Sequence, residues 1–459
     1  MDFAAPPLSL IDGSLPQIAL TVLVAGMGLI VVGSVAYLLL LLIAAARAVV
    51  VPGVAPVSSD ATLPRMVVVI PAHNEALVLG ATLSSLAAQH YPRERFRTVV
   101  VADNCTDTTA TVAREAGVIV LERDSESERG KGHALRWAFA KLLARYGHAA
   151  DVYVIVDADT WVAPDFLRVI GPRAMASADD KGRAAVQGRY GVLNSSDGWR
   201  AALMGAAFEL YNHVRPLGAS RLGLSVSLKG NGMAFTRPVV EEVGWHGRSI
   251  TEDVDYGLDL LRAGITPTYE PRAVVQAQMP ITAGQAASQR RRWETGRLKL
   301  LRDRALPLLG EALRRRSLLL ADAALNLMLP PLAELVGALV LWGALIALTI
   351  GVSEGGFRVH FEDGAARFWT IAFLATAAGM AGYIVGGLKV SGAPRAAYQA
   401  LLRAPLYALW KIALVAQSAV RRQNGGEWVR TTRFVTAQNA AVPGGVTPAP
   451  GRRAGERPE

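Results

Sequence analysis

DVYVIVDADTW, residues 151–161, opens on an apolar run, Val152 to Val156, and closes on two carboxylates, Asp157 and Asp159. The run is mostly β-branched and has no polar member, the composition of a strand buried on both faces. Such strands belong to largely parallel sheets covered by helices on either side. In those sheets ligands bind outside the carboxyl ends of the strands, which is where the two aspartates stand.

The flanking sequence repeats the pattern. RMVVVIPAHNEA reads as a strand ending in a polar loop, and ALVLGATLSSLAAQ as a helix. FRTVVVADNCTD, TTATVAREAG, VIVLERD and GHALRWAFAKLLARYG then read as strand, helix, strand and helix. Alternation of this kind over residues 65–280 predicts one α/β domain with a mostly parallel sheet. Asn74, Glu75, Asp103 and Asp107 fall at the same kind of strand end as the aspartate pair.

An Asp-x-Asp pair has two readings. Asp caps helices and builds turns through its own backbone. Paired carboxylates also suit a hard cation such as Mg2+ or Mn2+, held together with substrate phosphates. No thiolate or imidazole accompanies them, so zinc is disfavoured.

Outside the α/β domain the chain is apolar. Of 459 residues, 51% are hydrophobic and 19% charged, which points to membrane segments. Residues 1–16 read as an extracytoplasmic N-terminus, because Asp2 and Asp12 precede an uncharged stretch, 17–46, that is long enough to span. Arg47 follows it, and the positive-inside rule places the chain from there in the cytoplasm. Residues 52–64 form a Pro/Ser linker. Basic residues 281–317, including SQRRRWETGRLKLLRDR, read as interfacial helices on an anionic membrane surface. Further spans are expected at 323–350, interrupted by Pro330 and Pro331, and at 368–388. Residues 396–420 read as an interfacial helix or a fourth span, and 421–459 as a cytoplasmic tail with a disordered end. The net charge of +10 fits basic loops beside membrane helices, and no nucleic-acid-binding motif accompanies it. Cys105 is the only cysteine, which rules out an internal disulfide. It reads as a small space-filling residue, and His73 and His133 read as loop or packing residues.

Several remaining motifs carry chemistry. RGKGHAL places Lys131 between two glycines but lacks the spacing of a Walker loop or a dinucleotide fingerprint. GNGMAF, 230–235, has a glycine pair that lets backbone approach a ligand. ITEDVDYGLDLLRAG, 250–264, sets Glu252 and Asp253 at a helix start, where the macrodipole alone favours acids.

In order, PAHNE, VADNCTD, RGKGHAL, DAD, GNGMAF, TED and QRRRW resemble the membrane-embedded family-2 glycosyltransferases. These include cellulose, hyaluronan, chitin-oligosaccharide and poly-N-acetylglucosamine synthases. The resemblance covers about residues 65–300 and implies a GT-A fold with inverting transfer from a UDP-sugar. It implies that Pro71, Glu75, Asp103, Lys131 and Asp157 contact the nucleotide sugar. Asp159, with Asp157, would hold Mg2+ or Mn2+. Asp253 would be the general base, with Glu252 structural or a helper. Gly230, Asn231, Gly232 and Trp293 would meet the acceptor. Gln289, Arg292 and Trp293, the Q-x-x-R-W set, would hold the leaving diphosphate and the acceptor. Trp428, Thr431 and Arg433 match a W-x-x-T segment that in some relatives folds over the nucleotide.

Three functions follow as expectations. The first is a poly- or oligosaccharide synthase at the inner membrane with a cytoplasmic catalytic domain. The second is a single transfer to a lipid-linked acceptor. The third is a catalytically silent membrane protein that binds a nucleotide sugar or carbohydrate. Sugar identity and protein partners are not encoded in any pattern of residues here.

Overall fold

The structure is a computed structural model, and it describes residues 15–47, 60–146, 149–246, 251–279, 293–351 and 363–407. Its centre is an eight-stranded sheet in the order β3-β2-β1-β4-β7-β6-β8-β5. The strands are β1 (Met66–Ala72), β2 (Phe96–Asp103), β3 (Ile119–Arg123), β4 (Val152–Ile155), β5 (Thr160–Val162), β6 (Ala185–Val192), β7 (Met233–Thr236) and β8 (Thr268–Ala277).

The expected parallel character holds in the first half, where β1 pairs parallel with β2 and β4, and β2 with β3. Beyond β4 the sheet is mixed. β7 runs antiparallel to β4 and β6, β5 antiparallel to β8, and only β6–β8 is parallel. This is the α/β GT-A arrangement.

Both faces are packed, as the continuous apolar strands require. Val68 and Ile70 of β1 join Leu79, Leu83, Phe166 and Ile170 in one core. Val67 and Val69 join Leu135, Phe139, Leu142 and Tyr153 in the other. Alternation along a single strand therefore feeds two cores.

Helix Leu15–Ala46 has an apolar segment, Ala19–Ala46, long enough to cross a membrane. Leu29 is 78% exposed there, which would be costly in water. Helix Asp363–Ser391 contains a second such segment, Arg367–Ser391. The stretch expected at 323–350 is not one straight helix. Leu318–Met328 and Leu332–Gly351 meet at 71° around Pro330 and Pro331, the break that proline rings and missing N–H groups produce. Two described helices thus suit a span, or three if the bent pair is one. Of the segment 396–420, the structure describes a helix at Arg395–Leu401 and residues through 407. Residues 421–459, with Trp428, Thr431 and Arg433, lie outside the described residues.

The apolar helices and the α/β domain share a core. Val31, Val35 and Leu42 pack with Trp342, Tyr383 and, from the sheet domain, Leu210 and Val214. Trp342 donates from Nε1 to the Val24 carbonyl at 3.0 Å. Helix Arg215–Arg221 lies so close to the first helix that a Cβ on Gly218 would overlap the Leu41 carbonyl.

Candidate active site

The two aspartates lie just past the strand that announced them. β4 ends at Ile155, residues 157–159 turn, and β5 begins at Thr160. That turn is braced from two elements. Thr82, on helix Ala76–Ala87, donates from Oγ1 to the Ala158 carbonyl at 2.7 Å and accepts the Thr160 N–H at 3.0 Å. Asn231 accepts the Asp157 N–H at 3.1 Å and donates from Nδ2 to Thr160 Oγ1 at 2.8 Å. It reaches the turn because Met233 of β7 pairs with Ile155 of β4.

The three glycine-loop residues expected to meet the acceptor sit in different settings. Asn231 is fully buried, and its amide is spent on the turn. Gly232 belongs to the sheet: its N–H donates to the Ile155 carbonyl at 3.0 Å, and a Cβ there would stand 2.6 Å from Val275. Only Gly230 of the three faces the cleft, and a Cβ there would lie 3.2 Å from Asp253 Oδ2. Asn231→Ala is expected to cost about 1–3 kcal/mol, the penalty for buried polar groups left unpaired. Turnover should fall more than UDP affinity. Thermal unfolding and paired kcat and calorimetric measurements check this.

Lys131 begins helix Lys131–Tyr146 and gathers the site's charges. Its Nζ donates to Asp157 Oδ1 and to the Gly230 carbonyl, both at 2.6 Å, and lies 3.8 Å from Glu252 Oε1. Glu252 and Asp253 start helix Glu252–Arg262. Burial pushes the Glu252 carboxyl up to about 7, with Asp253 adding to the rise and Lys131 opposing it. Burial also raises Asp253, against the pull of Lys131 and the Val254 N–H. Burial opposes the charge on Lys131, but Asp157 and Glu252 outweigh it and keep the ammonium protonated. Asp157, Lys131, Gly230, Glu252 and Asp253 therefore share one cleft.

The other end of the cleft is formed by β1 and β2: β1 lies between β2 and β4, and its Val69 pairs with both Val99 and Ile155. Pro71 and Glu75 follow from β1, and Asp103 closes β2. Asp103 is almost fully buried, and its Oδ1 is held by Arg123 at 2.5 Å. Arg123, the last residue of β3, is a partner the sequence motifs did not reveal. Asn74 adopts φ 55°, and its Oδ1 accepts the Thr106 N–H at 2.7 Å, tying the two loops together. Asn tolerates this left-handed conformation better than most residues.

Trp293 packs on Val192, Ala277 and Met279, at the paired ends of β6 and β8, with its ring centroid 6.3 Å from Phe208. Gln289 and Arg292 lie outside the described residues. Among the described residues no three His, Cys, Asp or Glu groups are gathered to hold a metal. Asp157 and Asp159 supply two carboxylates. That set fits an ion whose remaining ligands come from substrate phosphates and water.

Comparison with known proteins identifies the class. A model described as "Glycosyltransferase like family 2" matches residues 64–296, half of the chain, and the protein belongs to that family. Among its relatives is a probable glycosyltransferase, YdaM, of Bacillus subtilis, 26% identical over 51% of this chain and 55% of that protein. Another is a beta-monoglucosyldiacylglycerol synthase of Synechocystis, 26% identical over 52% of this chain and 49% of its own. The chain spans about half the length of these curated relatives. A mannosyltransferase of Pyrobaculum calidifontis, solved with GDP-Man and Mn2+, is 21% identical over 81% of this chain and 96% of its own, with a TM-score of 0.47.

Proposed function

We propose that the protein moves a sugar from a UDP-sugar to an acceptor hydroxyl carried by a membrane lipid, with inversion at the anomeric carbon. The observation that carries this reading is the single cleft in which Asp157, Lys131, Gly230 and Asp253 meet. In the proposed step the acceptor oxygen bonds to the anomeric carbon as its bond to the β-phosphate breaks. The electron pair leaves on UDP, and the hydroxyl proton passes to Asp253. A single displacement needs no covalent sugar–enzyme intermediate.

Pro71, Glu75 and Asp103 hold the nucleotide in this reading, and Lys131 sits between donor and base. Asp157 and Asp159 would hold Mg2+ or Mn2+, which would neutralise charge on the departing diphosphate. The Q-x-x-R-W residues Gln289, Arg292 and Trp293 stay assigned to diphosphate and acceptor on the resemblance alone.

A lipid-borne acceptor is favoured over a growing polysaccharide by the membrane helices. Among the described residues they close on one another at small residues: a Cβ on Gly379 would lie 3.1 Å from Leu39, and one on Gly386 3.1 Å from Leu42. Contact this close suits a substrate that stays at the membrane surface. The Synechocystis relative is named for a lipid product. The proposed site is the cytoplasmic face of the inner membrane, since the basic residues of 293–316 lie on the same side of the spans as the catalytic domain's connection at Arg47.

Purified protein with Mg2+ or Mn2+, a UDP-sugar panel and lipid vesicles should release UDP and form a lipid bearing one sugar. A ladder of products would replace single transfer with chain extension. UDP release that is unchanged in Asp253→Asn would overturn the assignment of the base.

A further inference from the structure

Next to Gly230, which lies against Asp253, two cations sit on one aromatic ring. Lys229 immediately precedes Gly230, and its Nζ lies 3.6 Å from the centroid of Tyr211. The Arg215 guanidinium lies over the same ring at 4.7 Å. Tyr211 is 48% exposed, so the platform is open. Among the described residues, neither Lys229 nor Arg215 has a carboxylate within 4 Å. Lys131 already serves as the close cation of the carboxylate cluster. Lys229 favours the ionised form of Asp253 and Arg215 that of Asp322, each without a direct ion pair.

The arrangement carries a resting cost. Burial lowers the Lys229 pKa, and the charge of Arg215 lowers it further. Tyr211 stands on a π-helical turn, Glu209–Val214, a conformation that is rare in helices and frequent at functional sites. The ring attracts both cations, yet two like charges in a partly desolvated recess still repel. An anion placed between them would relieve that repulsion.

The platform also lies where the catalytic domain meets the apolar helices. Leu210 and Val214, from the same π-helical turn, pack in the core with Val31 and Trp342. Arg215 donates to Asn326 Oδ1 at 3.0 Å, and Asn326 donates to Tyr37 Oη of the first helix at 2.8 Å. Asp253 is close enough to shift the ionisation of both Lys229 and Tyr211.

We propose that Lys229, Arg215 and the Tyr211 ring form an acceptor subsite for an anionic group, phosphate or carboxylate, borne next to the hydroxyl that attacks the donor. The inference rests on the reading of Asp253 as the base. It goes beyond that reading by giving the acceptor a charge. Charge-assisted hydrogen bonds from two cations distinguish such a molecule from a neutral alcohol.

The test measures UDP release by the full chain in detergent or nanodiscs, with the donor fixed. Four acceptors are compared: phosphatidylglycerol vesicles, diacylglycerol in phosphatidylcholine vesicles, soluble glycerol 3-phosphate, and glycerol. The anionic member of each pair should win by about tenfold or more in kcat/KM. The vesicle and soluble arms show whether the anion is a lipid headgroup or a free phosphate. Lys229→Gln and Arg215→Gln should raise the KM of the anionic acceptor about tenfold, with UDP binding by calorimetry retained as evidence of folding. Lys229→Arg should restore the preference. Equal use of neutral and anionic acceptors, unaffected by Lys229→Gln, overturns the subsite and leaves sugar transfer standing. Absence of Asp253-dependent UDP release with every donor and acceptor overturns both.

Discussion

Asp253→Asn is expected to lower turnover by about 10²–10⁴-fold, the usual contribution of a positioned general base, while UDP binds as before. Asn keeps the shape of the side chain and the start of helix Glu252–Arg262, and it cannot take a proton. The wild-type pH profile should carry the same signature. A carboxylate is a base only when ionised, and burial raises the pKa of Glu252, to about 7, and that of Asp253. The acid limb of kcat/KM should therefore lie above the range of an ordinary aspartate, with activity falling as pH drops through it. The residual activity of the variant should be flat across that window. UDP release between pH 5 and 9, with calorimetric UDP titration alongside, makes the comparison; an acid limb near pH 4 would show that burial does not tune this pair.

Lys131→Met is expected to cost stability, because it removes the ammonium that touches Asp157 and approaches Glu252. Breaking a buried ion pair by deleting one partner costs about 3–5 kcal/mol; with side chains 24% and 29% exposed, this part-buried pair should cost less, about 1–3 kcal/mol. The sign with pH follows from the carboxylates left behind. Glu252 and Asp253 already ionise above their ordinary values, and losing the cation raises them further. A carboxyl whose folded-state pKa lies above its unfolded value loses stability as pH rises through the folded value. The deficit of the variant should thus be largest above pH 7 and shrink toward pH 5. Chemical unfolding at both ends of that range measures it, and a deficit independent of pH would mean that Lys131 acts by packing rather than by charge.

Much of this site was legible because charge at the end of an apolar strand is expensive unless used. Val152–Val156 announced a central strand, and the aspartates after it announced the rim of a cleft. Lys131 and Glu252–Asp253 were visible as polar groups punctuating helix starts, and the structure brings them to Asp157. The role of Asn231 was not visible. In sequence it is a polar residue between two glycines, and only the antiparallel pairing of β7 with β4 turns it inward onto the turn. That pairing was itself hidden, because a fully buried strand has the same composition whichever way its neighbour runs. Arg123 was missed because its partner, Asp103, is 20 residues away and adjacent only through the β2–β3 register. The Lys229–Tyr211–Arg215 platform depends on a π-helical turn, for which the local sequence carries no periodic signal.

Gly218, seated against the backbone of Leu41, has a consequence for where the reaction takes place. With no side chain to act as a cushion, the first apolar helix packs directly on the backbone of the domain that carries the cleft. In the proposed membrane setting, the height of Asp253 above the lipid surface would follow how deeply residues 19–46 sink. Bilayers built from shorter or longer acyl chains would raise or lower the whole assembly, and so meter access to the substrate without altering a single catalytic distance.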